Sequence, residues 1–397
     1  MTQIMWPLAA VMLVQASLMI AAVAVPVLAP ELAVDTGIDA KWIGVYSSLV
    51  FAGALVSIIL GGYLTRRFGA ITMSQIALVT AGAALLATAS GNIVVITVAA
   101  ITVGVGYGLA TPAASQILAN VTQPGHRGVV FSLKQSTVSF GGLIAGLLVP
   151  ILVVGFGWRT AILCVGLLVI TTSLLIHPLR TSQDDRQPPG SPTLVLPWHY
   201  ISYVLGHPKL RMLALITFTF AAAQNSMNAI FVTYLVTKFQ ISLVLAGTAF
   251  STMQITGMLT RVVLGWATDR FLSATKLLGI IGLSIAIMFS ILALVEGTWS
   301  MTVVFVIAAA TGVFVGGWSG VSLAEIARVV DQKSVAIATS GTIFFSFLGA
   351  AVGPSLFSVL VARTDSFNPA FLTIAAAAAI VGVLVLVTQN GIEKTVE

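Results

Sequence analysis

Long apolar runs separated by short polar breaks fill most of this chain. A run of about 20 apolar residues is long enough to cross a bilayer as a helix. The runs are continuous, without the alternation of apolar and polar positions that is typical of a membrane β-barrel. The pattern therefore predicts an all-α membrane protein with twelve transmembrane helices, which we number as spans one to twelve. Their predicted ranges are 5–29, 41–64, 71–90, 93–119, 128–154, 158–178, 209–236, 243–267, 274–295, 299–326, 334–362 and 368–389.

One long polar segment, residues 177–207, separates spans six and seven. Its Ser, Gln, Asp and Pro residues are typical of a linker. We therefore predict three parts along the chain. These are an N-terminal six-helix bundle (1–178), a cytoplasmic linker (179–208) and a C-terminal six-helix bundle (209–397).

The composition agrees with a protein of the lipid bilayer, since 58% of the residues are hydrophobic and 8% are charged. The mean hydropathy is +1.07, and soluble domains carry about 25% charged residues. The formal net charge of +6 does not indicate nucleic-acid binding, because the basic residues are scattered between apolar runs. The single cysteine, Cys164, excludes a disulfide framework, and the sequence predicts no metal site and no cofactor.

The positions of the basic residues predict the orientation in the membrane. With the N-terminus in the cytoplasm, twelve of the eighteen basic residues fall in cytoplasmic breaks, four fall on the opposite side and two fall inside spans. Cytoplasmic loops of membrane proteins are enriched in Lys and Arg. We therefore expect a multi-pass protein of the cytoplasmic (inner) membrane with both termini in the cytoplasm.

An internal repeat relates the two predicted bundles. Trp42–Phe68 aligns without gaps to Leu245–Phe271. The recurring positions are Gly44, Ser48, Gly62, Thr65, Arg67 and Phe68 in the first copy, and Gly247, Ser251, Gly265, Thr268, Arg270 and Phe271 in the second. Two similar six-helix halves joined by a linker are typical of secondary transporters.

The end of each copy resembles the loop signature of the major facilitator superfamily, G-x-L-a-D-r-x-G-r-[kr]. The copies read GYLTRRFG at residues 62–69 and GWATDRF at residues 265–271. Arg66 stands where the family has its aspartate, whereas the second copy keeps Asp269 and lacks the later glycine. The resemblance implies two pseudo-symmetric six-helix bundles, transport by alternating access, no enzymatic activity, and a central cavity lined mainly by spans one, four, seven and ten.

Those four spans carry polar residues among apolar ones. Polar side chains within membrane helices form interhelical hydrogen bonds or face a polar interior, and both roles stay open at this point. The candidate substrate-binding residues on these spans are Gln15, Tyr107, Gln224, Asn225, Asn228 and Trp318. The three amides of span seven lie close together in sequence and are the strongest candidates among them.

Two basic residues lie inside predicted spans, Lys134 in span five and Arg261 in span eight. An arginine at the centre of a membrane helix costs roughly 2.5–3.5 kcal/mol on insertion scales, so it usually has a function. No Asp or Glu lies near the middle of a predicted span. We therefore predict that Arg261 pairs with an anionic substrate and that Lys134 supplies a second charge. Two alternatives stay open: Lys134 extends to the cytoplasmic surface, or Arg261 is purely structural.

A narrower resemblance, to the oxalate–formate exchangers and more loosely to the monocarboxylate transporters, rests on the position of Arg261 relative to the loop signature. The exchangers place a second cation in span eleven, where Gly341 of this chain matches Lys134 of span five. We predict a monomeric transporter of a small organic anion, a carboxylate, with a proton or a counter-anion as the coupling partner. The alternatives are an exporter of uncharged or amphipathic compounds, as in multidrug efflux, and a sensor with transporter ancestry.

The signature loops also predict contacts that gate the cytoplasmic side. The superfamily's loop aspartate lies against the start of a helix in the other half, which for Asp269 implies a pair with Arg127. In the first copy Arg66 reverses the charge, and its predicted partner is Glu325 or Asp331. The candidate gating residues are Asp269, Arg127, Arg66, Arg270, Glu325 and Asp331.

Overall fold

The chain folds into helices in a computed structural model that describes residues 2–122, 127–184, 197–270, 273–295, 299–331 and 334–393. Within these ranges the side chains of residues 2–4, 127–129, 131–132, 182–183, 197, 269–270 and 389–393 are not described. The α-helices, labelled in chain order, are α1 Thr2–Thr36, α2 Ile43–Phe68, α3 Ala70–Thr88, α4 Ile93–Val121, α5 Arg127–Leu175, α6 Arg180–Asp184, α7 Pro197–Gly206, α8 Pro208–Phe239, α9 Leu243–Arg270, α10 Ala274–Leu294, α11 Met301–Gly316, α12 Trp318–Val329, α13 Val335–Thr364 and α14 Asn368–Glu393.

Eleven helical stretches of the described chain are long and apolar enough to cross a membrane. The described residues contain no strand, which confirms the all-α prediction. Spans one to four correspond to α1 to α4, and spans seven, eight, nine, eleven and twelve correspond to α8, α9, α10, α13 and α14. Spans five, six and ten differ from the prediction in their details.

Spans five and six form one helical stretch, α5, with a turn inside it. Gly157 has φ 82° and ψ 159° at this turn, a conformation that glycine adopts without steric cost. The arms on either side fold back on each other, because Thr137 and Thr172 line the same groove beside α1. The hydroxyls of Thr172 and Ser17 are hydrogen-bonded at 3.0 Å. The two arms are therefore antiparallel neighbours, and the eleven stretches make the twelve predicted crossings.

Span ten is interrupted, which its continuous apolar sequence did not predict. α11 ends at Gly316 and α12 begins at Trp318. Kinks in helices occur at pairs of small residues such as glycines, and Gly317 completes such a pair here. A β-carbon on Gly317 would lie 2.6 Å from the side chain of Leu264. The interruption therefore allows α9 to approach span ten closely.

We call residues 2–175 the N-terminal set and residues 208–393 the C-terminal set. The far end of the molecule is the end at which the ammonium of Lys41 pairs with the carboxylate of Asp365, from one set to the other. The linker end is the opposite end, where α7 packs against the beginning of α13.

The first seam between the sets is formed by α2 and α13. The backbone N–H of Gly44 donates to Ser358 Oγ at 2.9 Å. In the other direction the backbone N–H of Ser355 donates to Ser48 Oγ at 2.8 Å. Small residues permit this close approach of two membrane helices. The seam therefore holds the sets together towards the far end.

The second seam is formed by α5 and α9. Ser251 Oγ donates to the carbonyl of Leu143 at 2.9 Å. A β-carbon on Gly247 would clash with the backbone of Gly146 and the ring of Pro150. Gly247 and Ser251 are the repeat partners of the two residues that make the first seam from the N-terminal side. The repeat positions therefore recur because each copy packs against the other set in the same way.

A carboxylate in the predicted linker caps α3. Asp184 accepts hydrogen bonds from the backbone N–H groups of Ile71 at 2.7 Å and Thr72 at 3.2 Å, and from the Thr72 hydroxyl at 2.7 Å. A carboxylate at a helix N-terminus satisfies free N–H groups and interacts favourably with the helix dipole. A side chain on Gly69 would occupy the position of Asp184. Arg66 replaces the aspartate of the first signature loop, and the carboxylate of Asp184 lies next to that loop at Gly69.

Candidate functional site

A cavity of about 160 Å³ lies between the two sets. It is about halfway along the helices, since it reaches Tyr107 in α4 and Gln224 in α8. Its walls come from α1, α2, α4 and α5 of the N-terminal set and from α8, α9, α12 and α13 of the C-terminal set. The predicted substrate-binding residues that line it are Gln15, Tyr107, Lys134, Gln224, Asn225, Asn228, Arg261 and Trp318. The structure thus brings all eight candidates to one cavity, and their contact with a substrate stays a prediction.

Arg261 is 8% exposed and projects from α9. Its Nε donates to the carbonyl of Gly316 at 2.7 Å, and its Nη1 donates to the carbonyl of Gln135 at 2.9 Å. The last carbonyls of a helix have no partner within that helix, so the end of α11 at Gly316 supplies a free acceptor. A guanidinium has five N–H donors. The other three have no hydrogen-bond acceptor among the residues that the structure describes.

Lys134 is 5% exposed and projects from α5 into the same cavity. Its Nζ donates to Ser115 Oγ of α4 at 3.2 Å. A lysine that extends to the membrane surface would expose its ammonium group to water. The burial of Lys134 does not fit that alternative. Its side chain is held inside the N-terminal set, facing the cavity.

The two cations share the α5–α9 seam. Arg261 binds the carbonyl of Gln135, the residue next to Lys134, so spans five and eight are neighbours. None of the described residues that line the cavity is Asp or Glu. Buried like charges repel each other, and an anion between them would remove that repulsion. Among the described residues no cluster of His, Cys, Asp or Glu could hold a metal ion.

Hydrogen bonds orient the amides of α8. The indole N–H of Trp318 donates to Gln224 Oε1 at 2.9 Å, which leaves the amide N–H groups of Gln224 as the donors at the cavity wall. Asn225 Nδ2 donates to the carbonyl of Ala221 at 2.9 Å, one helical turn back. Trp318 and Gln224 therefore act as a pair, in which the indole positions the amide.

Three aromatic rings form another part of the wall. The centroids of Phe51 and Tyr107 are 6.0 Å apart, those of Phe51 and Phe347 are 6.1 Å apart, and those of Tyr107 and Phe347 are 6.3 Å apart. All three rings line the cavity. Phe51 belongs to the N-terminal set and Phe347 to the C-terminal set, so the ring cluster crosses between the sets.

Several of the residues that build this site were not among the candidates predicted from the sequence. Phe51 and Phe347 gave no signal, because an apolar ring inside an apolar span resembles every other core residue. Gln135 and Ser115 did carry a signal, since each is a polar residue within a predicted span. Gln135 acts through its backbone carbonyl, however, which side-chain chemistry does not reveal.

The predicted gating contacts fall mostly outside the described side chains. The side chains of Asp269, Arg127 and Arg270 are not described, so the pair of Asp269 with Arg127 stays a prediction. Glu325 Oε1 accepts a hydrogen bond from the hydroxyl of Thr275 at 2.7 Å. The remaining two candidates, Arg66 and Asp331, are exposed, and the charge pairs proposed for Arg66 also stay predictions.

Comparison with protein families matches the chain to the Major Facilitator Superfamily over residues 9–308 and 213–395. Two curated transporters are similar to a part of the chain. The 4-hydroxybenzoate transporter PcaK of Acinetobacter baylyi is 27% identical over 150 residues, which are 38% of this chain and 33% of the relative. The "probable sulfoacetate transporter" SauU of Cupriavidus necator is 26% identical over 153 residues, which are 38% of this chain and 35% of the relative. The similar region spans about a third of each relative's own length.

Two solved structures share the fold over almost the whole chain. A bacterial homologue of the human lysosomal transporter Spinster, in an inward-facing and occupied conformation, has a TM-score of 0.72 at 15% identity and covers 96% of this chain and 94% of the other. A mutant of the nucleoside transporter NupG has a TM-score of 0.79 at 14% identity and covers 96% of this chain and 99% of the other. At these identities the likeness shows the fold and not the substrate.

Proposed function

Because the chain belongs to the major facilitator superfamily, we propose that it is a secondary transporter of a small organic anion, a carboxylate, which it moves by alternating access. The observation that carries this proposal is the pair of buried cations, Arg261 and Lys134, on a cavity to which no described residue contributes a carboxylate. Ionisable groups inside a membrane are costly, and they usually mark the path of a substrate or an ion.

The site would divide the recognition of the anion among three kinds of groups. Arg261 keeps N–H donors that no described residue uses, and a guanidinium binds a carboxylate through two parallel hydrogen bonds. Lys134 would add a second positive charge, and the amide of Gln224, positioned by Trp318, would donate to the same anion or to its neighbouring groups. Each of these groups is positioned on a helix of the cavity wall.

The names of the two relatives support this class of substrate. Both 4-hydroxybenzoate and sulfoacetate are carboxylates, and those are the compounds in the names of the two transporters. The similarity covers 38% of this chain, so the relatives support an anionic substrate without identifying it.

The second candidate, an exporter of uncharged or amphipathic compounds, fits the cavity less well. Pockets for drug-sized ligands have volumes of about 300–1,000 Å³, whereas this cavity has about 160 Å³. An uncharged compound would also offer no negative charge to the guanidinium of Arg261, whose hydrogen-bond partners among the described residues are both neutral carbonyls. The small size and the charge of the cavity both favour a small anion.

The proposed setting follows from the same comparison and from the charge pattern. We place the protein in the inner membrane as a monomer. Its two proposed bundles are residues 1–178 and 209–397, and both termini and the linker (179–208) lie in the cytoplasm. In this orientation the far end faces the periplasm. No described carboxylate lies on the cavity wall to carry a proton. The proposed coupling partner is therefore either a counter-anion that is exchanged for the substrate, or a proton that travels on the substrate's own carboxylate.

Counterflow in proteoliposomes tests the proposal directly. Liposomes that contain the protein are loaded with one unlabelled carboxylate of a panel, and the entry of the labelled compound is followed. Each acid is paired with its uncharged amide as the matched control. We expect accumulation of at least one acid and no accumulation of its amide, and Arg261→Ala should abolish the signal. Transport of the amides that is unaffected by Arg261→Ala would instead establish the exporter of uncharged compounds.

A further inference from the structure

The binding of a charge does not explain why the ring cluster of Phe51, Tyr107 and Phe347 lines the cavity. Tyr107 meets Phe51 with an interplanar angle of 70° and Phe347 with an angle of 74°. These are edge-to-face contacts, and Phe51 and Phe347 are tilted by 41°. Aromatic rings in such arrangements offer both a face and an edge to a further ring.

Two of the three rings and the two cations belong to different seams of the molecule, and Tyr107 of α4 lies between them. Phe51 and Phe347 lie on α2 and α13, the helices of the first seam, whereas Lys134 and Arg261 lie on α5 and α9, the helices of the second. The cavity is lined by residues of both seams. It therefore presents the rings of Phe51 and Phe347 on one side and two positive charges on another, with Tyr107 between the two.

We infer that the substrate is an aromatic carboxylate, whose ring packs against Phe51, Tyr107 and Phe347 while its carboxylate binds Arg261 and Lys134. This inference rests on the proposed function, to which it adds the chemistry of the uncharged part of the substrate. A planar ring with one acid group matches both sides of the cavity. No bond in the substrate is made or broken, since recognition is by packing and charge.

Two other classes of anion fit the cavity less well. A dicarboxylate would place its second charge against ring faces, which carry partial negative charge, and would bury that charge without a partner. A very small anion would occupy the cationic side and leave the ring surface in contact with water. The size of the cavity, about 160 Å³, also favours a single ring over a fused system.

Equilibrium binding to the full chain in lipid nanodiscs tests this inference with four probes. Benzoate carries a ring and a charge, cyclohexanecarboxylate carries a saturated ring and a charge, succinate carries two charges, and benzyl alcohol carries a ring without a charge. We expect benzoate to bind at least about fivefold more tightly than cyclohexanecarboxylate, because packing between aromatic rings favours the planar ring. Succinate and benzyl alcohol should bind more weakly than both.

Variants of the ring cluster make the test specific. Phe347→Leu should weaken benzoate binding about tenfold, with less effect on cyclohexanecarboxylate, because the side chain stays apolar while the aromatic contact is lost. Phe347→Tyr keeps the ring and should preserve the preference for benzoate. Phe345→Leu removes a ring of the same helix that packs against Phe344 and does not line the cavity. It should leave the preference unchanged. Phe51→Leu is the second variant of the ring cluster, to be used if Phe347→Leu does not fold.

The outcomes separate this inference from the proposed function. Equal affinities for benzoate and cyclohexanecarboxylate, or tighter binding of succinate, would overturn the aromatic substrate and leave a carboxylate transporter. Absence of benzoate binding would also overturn the inference. Binding of benzyl alcohol in the absence of binding by any acid would overturn the proposed function, and the inference with it.

Discussion

Arg261 donates a hydrogen bond from its guanidinium to the backbone carbonyl of Gln135 at 2.9 Å, from the C-terminal set to the N-terminal set. Its Nε donates a second hydrogen bond, to the carbonyl of Gly316 at 2.7 Å, within the C-terminal set. The bond to Gln135 has to break when α5 and α9 separate at this depth. An anion bound at the guanidinium would compete for the same N–H groups, so the binding of substrate and the packing of the seam are coupled.

Replacement of Arg261 by lysine should remove most of the transport activity. A lysine keeps the charge and loses the planar arrangement of donors that binds a carboxylate and a carbonyl together. A charge-assisted hydrogen bond contributes about 1.5–3 kcal/mol, so we expect a fall in kcat/KM of roughly ten- to a hundredfold. Counterflow of the identified substrate measures it, with Arg211→Lys at an exposed site of α8 as the control. Wild-type rate and affinity in Arg261→Ala would show that Arg261 is not part of an anion site.

Replacement of Lys134 by alanine should raise KM more than it lowers kcat. The Nζ of Lys134 donates a hydrogen bond to Ser115 Oγ at 3.2 Å. The proposed role of Lys134 is to attract the anion, and this attraction is the same in the substrate-bound state and in the transition state of transport. We expect a rise in KM of about tenfold, which corresponds to about 1.4 kcal/mol. Uptake kinetics measure the two constants, and Lys276→Ala, at an exposed site at the start of α10, is the matched control. A fall in kcat at constant KM would assign Lys134 to the conformational change instead.

The sequence predicted this fold and the residues around its cavity for one physical reason. Polar side chains within apolar spans must face a polar interior or each other, and Arg261, Lys134 and the amides of α8 do so. The repeat positions Gly44 and Gly247 predicted two related halves but not their contacts. The structure shows that both glycines pack at the two seams, where only small residues permit so close an approach.

Other features could not be predicted because they depend on contacts between residues that are distant in the sequence. The interruption at Gly317 depends on how α9 packs against span ten, and membrane helices carry many glycines without a kink. Phe51 and Phe347 differ from core residues only by their position in the folded protein. Asp184 caps α3 across a gap of more than a hundred residues, a contact that local sequence patterns do not contain.

Coupling should not depend on a carboxylate within the membrane. Glu31 is exposed near the far end of α1, and Glu325 Oε1 accepts the hydroxyl hydrogen bond of Thr275 outside the cavity lining. We therefore expect Glu31→Gln and Glu325→Gln to keep both exchange and any proton-driven uptake within about twofold of the wild type. Uptake with and without an imposed pH gradient measures both activities. Loss of proton-driven uptake with intact exchange in either variant would identify that carboxylate as the proton carrier.

The linker should react with membrane-impermeant reagents only from the cytoplasm. This expectation rests on the excess of Lys and Arg in the breaks on that side. Cys164 is the single native cysteine and lies within a predicted span, so the experiment starts from Cys164→Ser to remove any background labelling. Single cysteines are then placed at Ser182, in the linker region, and at Val34, which is 84% exposed towards the far end. In intact cells Val34→Cys should be labelled and Ser182→Cys should not; the reverse pattern would invert the topology.

The pair of Lys41 and Asp365 should favour the arrangement that is closed at the far end. The two residues come from different sets, so the pair has to break when the sets separate there. The hydrogen bond and charge of Lys41 lower the pKa of the Asp365 carboxyl below its ordinary value, which is about 3.9. The pKa of Asp365 is lowered only in the closed arrangement, where the ion pair is formed. The ion pair therefore stabilises the closed arrangement fully at a pH above the ordinary pKa, and this stabilisation is lost as the pH falls through the lowered pKa.

Asp365→Asn should therefore raise the fraction of molecules that are open at the far end at neutral pH. Acidification of the wild type below about pH 4 should raise the same fraction. Distances between spin labels at Val34 and Thr373, both exposed on helices of different sets, report the separation. Asp35→Asn is the matched control, because its carboxylate pairs with Arg159 at 2.7 Å within the N-terminal set and does not cross the seam. A distance distribution in Asp365→Asn that matches the wild type would show that packing at Gly44 and Ser48, and not this ion pair, keeps the far end closed.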